Sequence, residues 1–289
     1  MVNTLDASFV TEGCWKPGLF EGKVVIVTGG AGTICRVQTE AMVLLGCQAA
    51  IVGRNEESTV AAAEEISRLG SDGCVLPLYN IDVRDFKQME EAVARTLARF
   101  GRIDFVIAGA AGNFICDFAH MSPNAFKTVV DIDLLGSFNT VKACFPQLVK
   151  NKGSILFVSA TLHYYGVPFQ SHVGAAKAGI DALSNALAVE LGPLGIRSNC
   201  IAPGPIGGTE GFRRLVQKDL RDKAIESVPL QRLGTTRDIA ESTVFLFSPA
   251  SAFVTGTISV VDGGAWHVGT HFSHNMYPKQ LVERMRSKL

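Results

Sequence analysis

The sequence predicts an α/β fold: a single domain built on one doubly wound sheet of about seven parallel strands, with helices on both faces. Three observations predict it. Continuous apolar runs such as Val24–Thr28 (VVIVT) read as strands buried on both faces. Stretches with helical periodicity alternate with those runs along the chain. Gly29, Gly30 and Gly32 fall between the first strand and the first helix, where backbone amides and the helix dipole can hold a pyrophosphate. With 289 residues, 47% of them hydrophobic, and 29 glycines, the chain can bury such a core and make its many tight turns.

Taken in order, residues 1–20 read as an extension and 21–266 as a Rossmann-type nucleotide-binding domain. Helix 38–45 follows the glycines. Strand 49–52 comes next and ends in Gly53-Arg54-Asn55. An acidic residue at this place binds the ribose hydroxyls of NAD. Glycine followed by arginine suits a 2′-phosphate instead, so NADP(H) is expected, with Arg54 on the phosphate. Arg36, just past the glycine turn, offers a second positive charge. Helix 58–69 precedes strand 74–79, which leads to Asp82-Val83. Helix 86–100 precedes strand 104–108, and helix 124–149, interrupted near Gly136, precedes strand 154–159. Helix 169–191 precedes strand 197–201, and helix 236–246 precedes strand 257–261. Right-handed crossovers place the strand carboxyl ends along one edge, where a ligand binds. Segment 204–227 reads as a lid with a short helix, and 267–289 as an extension without strand pattern.

Composition excludes several classes. The 27 basic and 27 acidic residues leave no surplus for nucleic acid or an acidic membrane. The seven cysteines are scattered, with no CxxC and no His/Cys cluster, so reduced thiols and no metal site are expected. No apolar run reaches the length of a membrane span, and the N-terminus lacks a signal-peptide core. The chain ends in Ser287-Lys288-Leu289, the address read by the peroxisomal import receptor.

Within helix 169–191, Ala176, Ile180, Leu183, Leu187 and Leu191 form an apolar stripe, and Gly192-Pro193 stops the helix. Lys177, Asp181 and Ser184 lie off that stripe. Lys177 is near the helix start, where the dipole disfavours a cation, so an anion or dipole is expected beside it.

Thr28-Gly29-Gly30, Asp82-Val83, Ala110-Ala111-Gly112, Lys177, Pro203-Gly204 and Asp262-Gly263-Gly264 together resemble the short-chain dehydrogenase/reductase family over about residues 20–266. The resemblance implies that Gly29, Gly30, Gly32, Thr33 and Ile34 hold the pyrophosphate. It implies that Asp82, Val83 and Ala110 contact the adenosine half. Pro203, Gly204 and Ile206 would border the nicotinamide, and Lys177 would bind its ribose. The chain also departs from the pattern. Thr33 and Cys35 stand where the glycine turn usually ends in glycines. Val173 stands at the catalytic tyrosine's place, and Ala160, between Ser159 and Thr161, at the serine's. Asp133 in VVDIDLLG replaces a common asparagine.

Reducing a carbonyl makes an alkoxide that needs an adjacent acid, normally that tyrosine. Reducing a conjugated thioester makes a dienolate, whose proton goes to carbon and can come from a held water. Within the family the sequence is similar to peroxisomal 2,4-dienoyl-CoA reductases, the fungal ones especially, on AGAAGNF (108–114), SPNAFKTVVDID (122–133), VGAAKAGIDAL (173–183), APGPIGGTEG (202–211) and PLQRLG (229–234). That similarity implies NADPH, an acyl-CoA substrate and Asp133 with Lys177 as the catalytic pair. It also implies Phe114, Ser122, Asn124 and His172 near the substrate, and a homodimer or homotetramer. Ser122 and Asn124 are equally suited to capping a helix, and Arg213, Arg214 and Lys218 to meeting CoA phosphates or solvent. Tyr164 is a reserve proton donor; mitochondrial relatives place a tyrosine where this chain has Leu162. A 3-oxoacyl thioester reductase and a silent NADP-binding protein stand as alternatives.

Overall fold

The computed structural model describes residues 4–71, 73–209, 212, 225–226, 228–269 and 279–287. Strands β1 (Val24–Thr28), β2 (Gln48–Val52), β3 (Val75–Leu78), β4 (Phe105–Ala108), β5 (Ser154–Val158), β6 (Arg197–Pro203) and β7 (Ile258–Val261) form one parallel sheet in the order β3-β2-β1-β4-β5-β6-β7. The order reverses between β1 and β4, which places the ligand edge beyond their carboxyl ends.

Period-two alternation divides the strand side chains between two cores. Val25, Val27, Ile51, Ile107 and Leu156 face one, packed by α2 (Thr33–Leu44) and α9 (Thr236–Phe247). Ile26, Val52, Val106, Ile155 and Phe157 face the other, packed by α4 (Phe86–Phe100), α6 (Gly136–Asn151) and α8 (Ser171–Leu191). Each such side chain is almost fully buried, worth about 1.5–3 kcal/mol apiece. Helix α3 (Glu56–Ser67) is capped by Asn55, whose side chain accepts the Ser58 N–H at 2.8 Å.

Several elements differ from the sequence expectation. Helix α2 begins at Thr33 rather than 38, because its first turn is turned to a cavity and shows no apolar period. Two four-residue helices, α1 (Ser8–Thr11) and α7 (Leu162–Tyr165), are too short to show a period at all. The expected break near Gly136 is a widening instead. Helix α5 (Pro123–Val130) runs through a π-helical turn, Asp131–Leu135, directly into α6. Gly136 is required there because a Cβ would come within 2.5 Å of Val83 Cγ2. The described part of the N-terminal extension, residues 4–20, packs on the domain: Leu5 and Phe9 are buried in the first core, and Trp15 donates to Glu241. In the C-terminal extension, helix α10 (Lys279–Arg286) brings Arg284 to Asp117 at 3.4 Å and over the Phe169 ring. Lys288, Leu289 and the expected lid residues Arg213, Arg214 and Lys218 lie outside the described residues.

Candidate active site

A cavity of about 800 Å³ opens at the carboxyl ends of β1, β4, β5 and β6. Ten of the residues expected from the sequence line it: Gly29, Gly32, Thr33, Ile34, Arg54, Asp133, Lys177, Pro203, Gly204 and Ile206. Gly29 adopts φ +71°, a left-handed conformation that costs glycine nothing, with its Cα facing the Ala110 backbone. Gly32 caps α2 without a side chain, so the amides of the first helical turn are open to an anion. Cys35 replaces a glycine of the family turn at no steric cost. Its Sγ lies 2.2 Å from where a Cβ on Gly109 would stand, so Gly109 provides its space. Burial pushes the Cys35 thiol up to about 12, and Lys177 only partly opposes this, so it is an inert wall atom.

Gly53 is also dictated by packing. A Cβ there would come within 2.4 Å of Thr59 Oγ1, which leaves no room for a ribose-binding acid. Arg54 is exposed at the cavity lip beside Asn55 and Ser58, and has no salt-bridge partner among the described residues. Arg36 is paired with Glu40 at 2.9 Å and Glu65 at 2.6 Å, so its charge is shared with two carboxylates. The lining thus suits a dinucleotide carrying a 2′-phosphate: open amides for the pyrophosphate and an unpaired guanidinium beyond.

Asp133 sits in the π turn and is fully buried. The wide turn separates it from Asp131, which faces solvent and pairs with Lys127. Asp133 Oδ1 accepts the Gly112 N–H at 2.7 Å. Lys177 Nζ lies 3.1 Å from Oδ2 and donates to the Val158 carbonyl at 3.0 Å. The ammonium meets Oδ2 off the hydrogen-bonding direction, which leaves that oxygen free to accept. The anion that the helix position of Lys177 called for is therefore Asp133. Lys177, Asp181 and Ser184 face inward rather than outward, each at most 6% exposed. Val173, at the place of the family tyrosine, packs with Val129 and Ala176 and presents only methyl groups to the cavity.

Other expected residues fall outside the lining. Gly30 turns to the sheet, where a Cβ would come within 2.6 Å of Ile51 Cβ, so it is a packing glycine. Asp82 is gripped by the Arg84 guanidinium, which with the Arg84 backbone holds its carboxyl below the usual range. Val83 packs against Gly136. Ala110 backs Gly29. Ser122 is the cap of α5, accepting the Ala125 N–H at 3.1 Å, and Asn124 is exposed on its first turn. His172 is fully buried against Phe114, ring centroids 4.4 Å apart. Burial holds its pKa below the ordinary value against the opposing pull of the Phe114 backbone and Asp133. Tyr164, the reserve acid, lies outside the lining and donates to Asp181 at 3.3 Å, and burial raises its pKa.

The sequence reading left three cavity groups without a role. Tyr165 lines the wall, its hydroxyl 3.2 Å from Thr161 Oγ1. Ser159 Oγ is buried without a partner. Gln170, the residue before α8, is 2% exposed with both amide atoms unpaired. Asn113 Oδ1, beside the expected Phe114, is unpaired as well. A residue's own period signals which way it faces but not whether a partner waits for it. Among the described residues no group of acidic, histidine or cysteine side chains is placed to hold a metal, and no helix is long and apolar enough to cross a membrane.

Residues 29–266 match the family described as Enoyl-(Acyl carrier protein) reductase. A peroxisomal 2,4-dienoyl-CoA reductase of Saccharomyces cerevisiae, described as producing (3E)-enoyl-CoA, is 70% identical over 288 residues, 99% of each chain. The enzyme of the same description from Danio rerio is 42% identical over 275 residues, 92% of this chain and 91% of its own. Among solved structures, a short chain dehydrogenase from Bacillus anthracis superimposes with a TM-score of 0.75 at 36% identity, covering 84% of this chain and 96% of its own.

Proposed function

The chain belongs to the short-chain dehydrogenase/reductase family, and from that membership we propose that it reduces 2,4-dienoyl-CoA to 3-enoyl-CoA with NADPH, in the peroxisomal β-oxidation of unsaturated fatty acids. The observation that carries this reading is the buried Asp133–Lys177 pair in a cavity where Val173 stands at the family tyrosine's place. A site that reduced a ketone would need a phenol or comparable acid beside the new alkoxide; Val173 offers none at the family's place, and the Tyr165 hydroxyl elsewhere in the wall is engaged with Thr161. A site that protonates carbon needs a positioned water and a cation near the spreading charge.

NADPH, when bound, supplies the hydride, which reaches the δ-carbon of the dienoyl chain. The open amides of α2 take the pyrophosphate and Arg54 takes the 2′-phosphate. Lys177 serves the ribose and stabilises the negative charge that moves onto the thioester. Asp133, fixed by Gly112, keeps one oxygen free to orient a water, and a proton of that water goes to the α-carbon. Ile115, Leu162, Val167 and Phe212 give the acyl chain an apolar path.

The test is NADPH oxidation by the purified protein with 2,4-dienoyl-CoA beside a 3-oxoacyl-CoA. Turnover of the dienoyl ester alone is expected; turnover of the 3-oxo ester alone would replace this reading with the ketone reductase. The terminal Ser287-Lys288-Leu289 is the import address in this reading, and deleting it is expected to leave the enzyme active in the cytosol. Phe126 and Phe138, both exposed on the α5–α6 rod, support assembly into a dimer or tetramer, which sedimentation would size.

A further inference from the structure

We propose that Gln170 is a catalytic residue whose side-chain amide donates a hydrogen bond to the thioester oxygen as charge develops there; this rests on the dienoyl-CoA reductase reading. Three observations converge on it.

The first is an uncompensated burial. Gln170 is 2% exposed, lines the cavity, and leaves both Oε1 and Nε2 without a partner. A buried amide with neither atom paired is costly to the fold and calls for an explanation. The second is its register. Gln170 precedes α8 and Lys177 follows seven residues on, so the two lie on one face about two turns apart, roughly 10 Å along the axis, with Val173 between them. The amide and the ammonium therefore flank the place where the family's phenol is missing.

The third is how it is held. Phe169, the residue before it, adopts φ +67°, a left-handed conformation strained for a bulky side chain. Two contacts keep it there. The Cys116 N–H donates to the Phe169 carbonyl at 3.2 Å, and the Arg284 guanidinium of α10 lies 5.1 Å over its ring while also reaching Asp117. Strain of this kind, clamped from two sides, presents the next side chain in a fixed direction.

Chemistry then selects the partner. From the α-carbon outward, a dienoyl chain carries only C–H groups, and the cavity-lining residues just before Gln170 in the chain, Val167, Pro168 and Phe169, are apolar. The polar atom at the reacting end is the thioester oxygen. It gains negative charge when hydride adds at the δ-carbon and loses it when the α-carbon is protonated. An N–H donor aimed at that oxygen gains strength as the charge forms and itself exchanges no proton or electron.

Gln170→Met keeps the shape and removes the donor, and Gln170→Glu keeps shape and polarity without the amide N–H. For each, kcat and KM with 2,4-dienoyl-CoA, NADPH affinity by fluorescence and thermal midpoint are measured beside the wild type. The expected result is a fall in kcat of about 10²–10³-fold in both, with NADPH affinity within twofold of wild type. The Met variant is expected to melt no lower than wild type, because an unpaired amide has been replaced by an apolar group. A purely structural Gln170 would do the reverse, lowering the melting point while the folded fraction kept its kcat. Unchanged kcat in either variant, or a loss of NADPH affinity matching the loss of turnover, overturns the assignment. If the wild type itself fails to reduce the dienoyl ester, the functional reading falls first; an active wild type with an equally active Met variant overturns this inference alone.

Discussion

The two walls of the cavity differ in what they offer a ligand. The nucleotide wall, made by β1, α2 and β2, works through backbone: left-handed Gly29, the open amides of α2 and a glycine at 53 that leaves Arg54 to the phosphate. Its buried polar atoms are mostly paired. The proposed acyl wall, made by the segments after β4 and β5, the π turn and the start of α8, presents side-chain atoms without a hydrogen bond: Asn113 Oδ1, Ser159 Oγ, both amide atoms of Gln170, and Asp133 Oδ2, which has only the Lys177 ammonium beside it. It also carries the backbone strain at Phe169. The difference teaches that what one wall offers a nucleotide follows from fold geometry, whereas what the other offers the proposed acyl thioester is buried polarity that hydrogen bonds within the fold leave largely unsatisfied.

The largest effects are expected where the walls meet. Asp133→Ala and Lys177→Ala are each expected to lower dienoyl-CoA turnover by about 10²–10⁴-fold. NADPH affinity should survive the first change and weaken with the second, because only Lys177 serves both walls. Breaking a buried ion pair costs about 3–5 kcal/mol, so thermal midpoints are measured alongside to count only folded enzyme. If both variants bind NADPH equally well, the two walls are less joined at Lys177 than described.

On the nucleotide wall alone, Arg54→Ala is expected to raise the Michaelis constant for NADPH about 10–100-fold and that for NADH little, as loss of a charge-assisted hydrogen bond does. An equal rise for both would take Arg54 off the phosphate. A sharper probe of that wall is Gly109→Ala. Its methyl would meet Cys35 Sγ at 2.2 Å and cost about 1–3 kcal/mol, and Cys35→Ala in the same chain is expected to restore part of it. Strictly additive losses in thermal midpoint would contradict the shared space.

The smallest effect tests the scaffold behind both walls. Arg232 hydrogen-bonds Asp238 in the capping box of α9 and holds its carboxyl at about 2, against the opposing cost of burial. A carboxyl depressed in the folded state adds stability that is present above the unfolded value, near 3.9, and is lost as pH falls toward 2. Asp238→Asn is expected to cost about 1 kcal/mol at neutral pH, and that deficit is expected to shrink between about pH 4 and 2 as the wild type loses the same contribution. Parallel acid limbs for the two proteins would remove this contribution.

The comparison also sets what was legible in the sequence. Strand β1 and helix α4 have the bounds their apolar patterns predict, because burial on a regular element writes a period into the chain. The ion pair was half legible: the helix position of Lys177 demanded an anion, and Asp133 was the acid available to meet it. Gly30 has a packing duty that its motif did not announce, while Ser122 has the capping duty that its residue type suggested. A motif fixes which residue type stands at a position, but the structure shows Gly30 making room for Ile51 and Ser122 capping α5. Tyr165 gave no signal, since a short segment between strand and helix has no period, and Gln170, expected at the start of helix 169–191 but lying just before it, looks in the sequence like any surface glutamine.

The central claim is that the acyl wall delivers a water proton to the α-carbon without a phenol at position 173. It is tested most directly by running the reaction with NADPH in D2O and locating the deuterium in the product by mass and NMR spectrometry. The account predicts deuterium at the α-carbon, the hydride's hydrogen at the δ-carbon and the remaining double bond between the β- and γ-carbons. Deuterium at the γ-carbon with an intact α,β double bond would contradict it, because the proton would then have been delivered where Asp133 and Lys177 do not hold it.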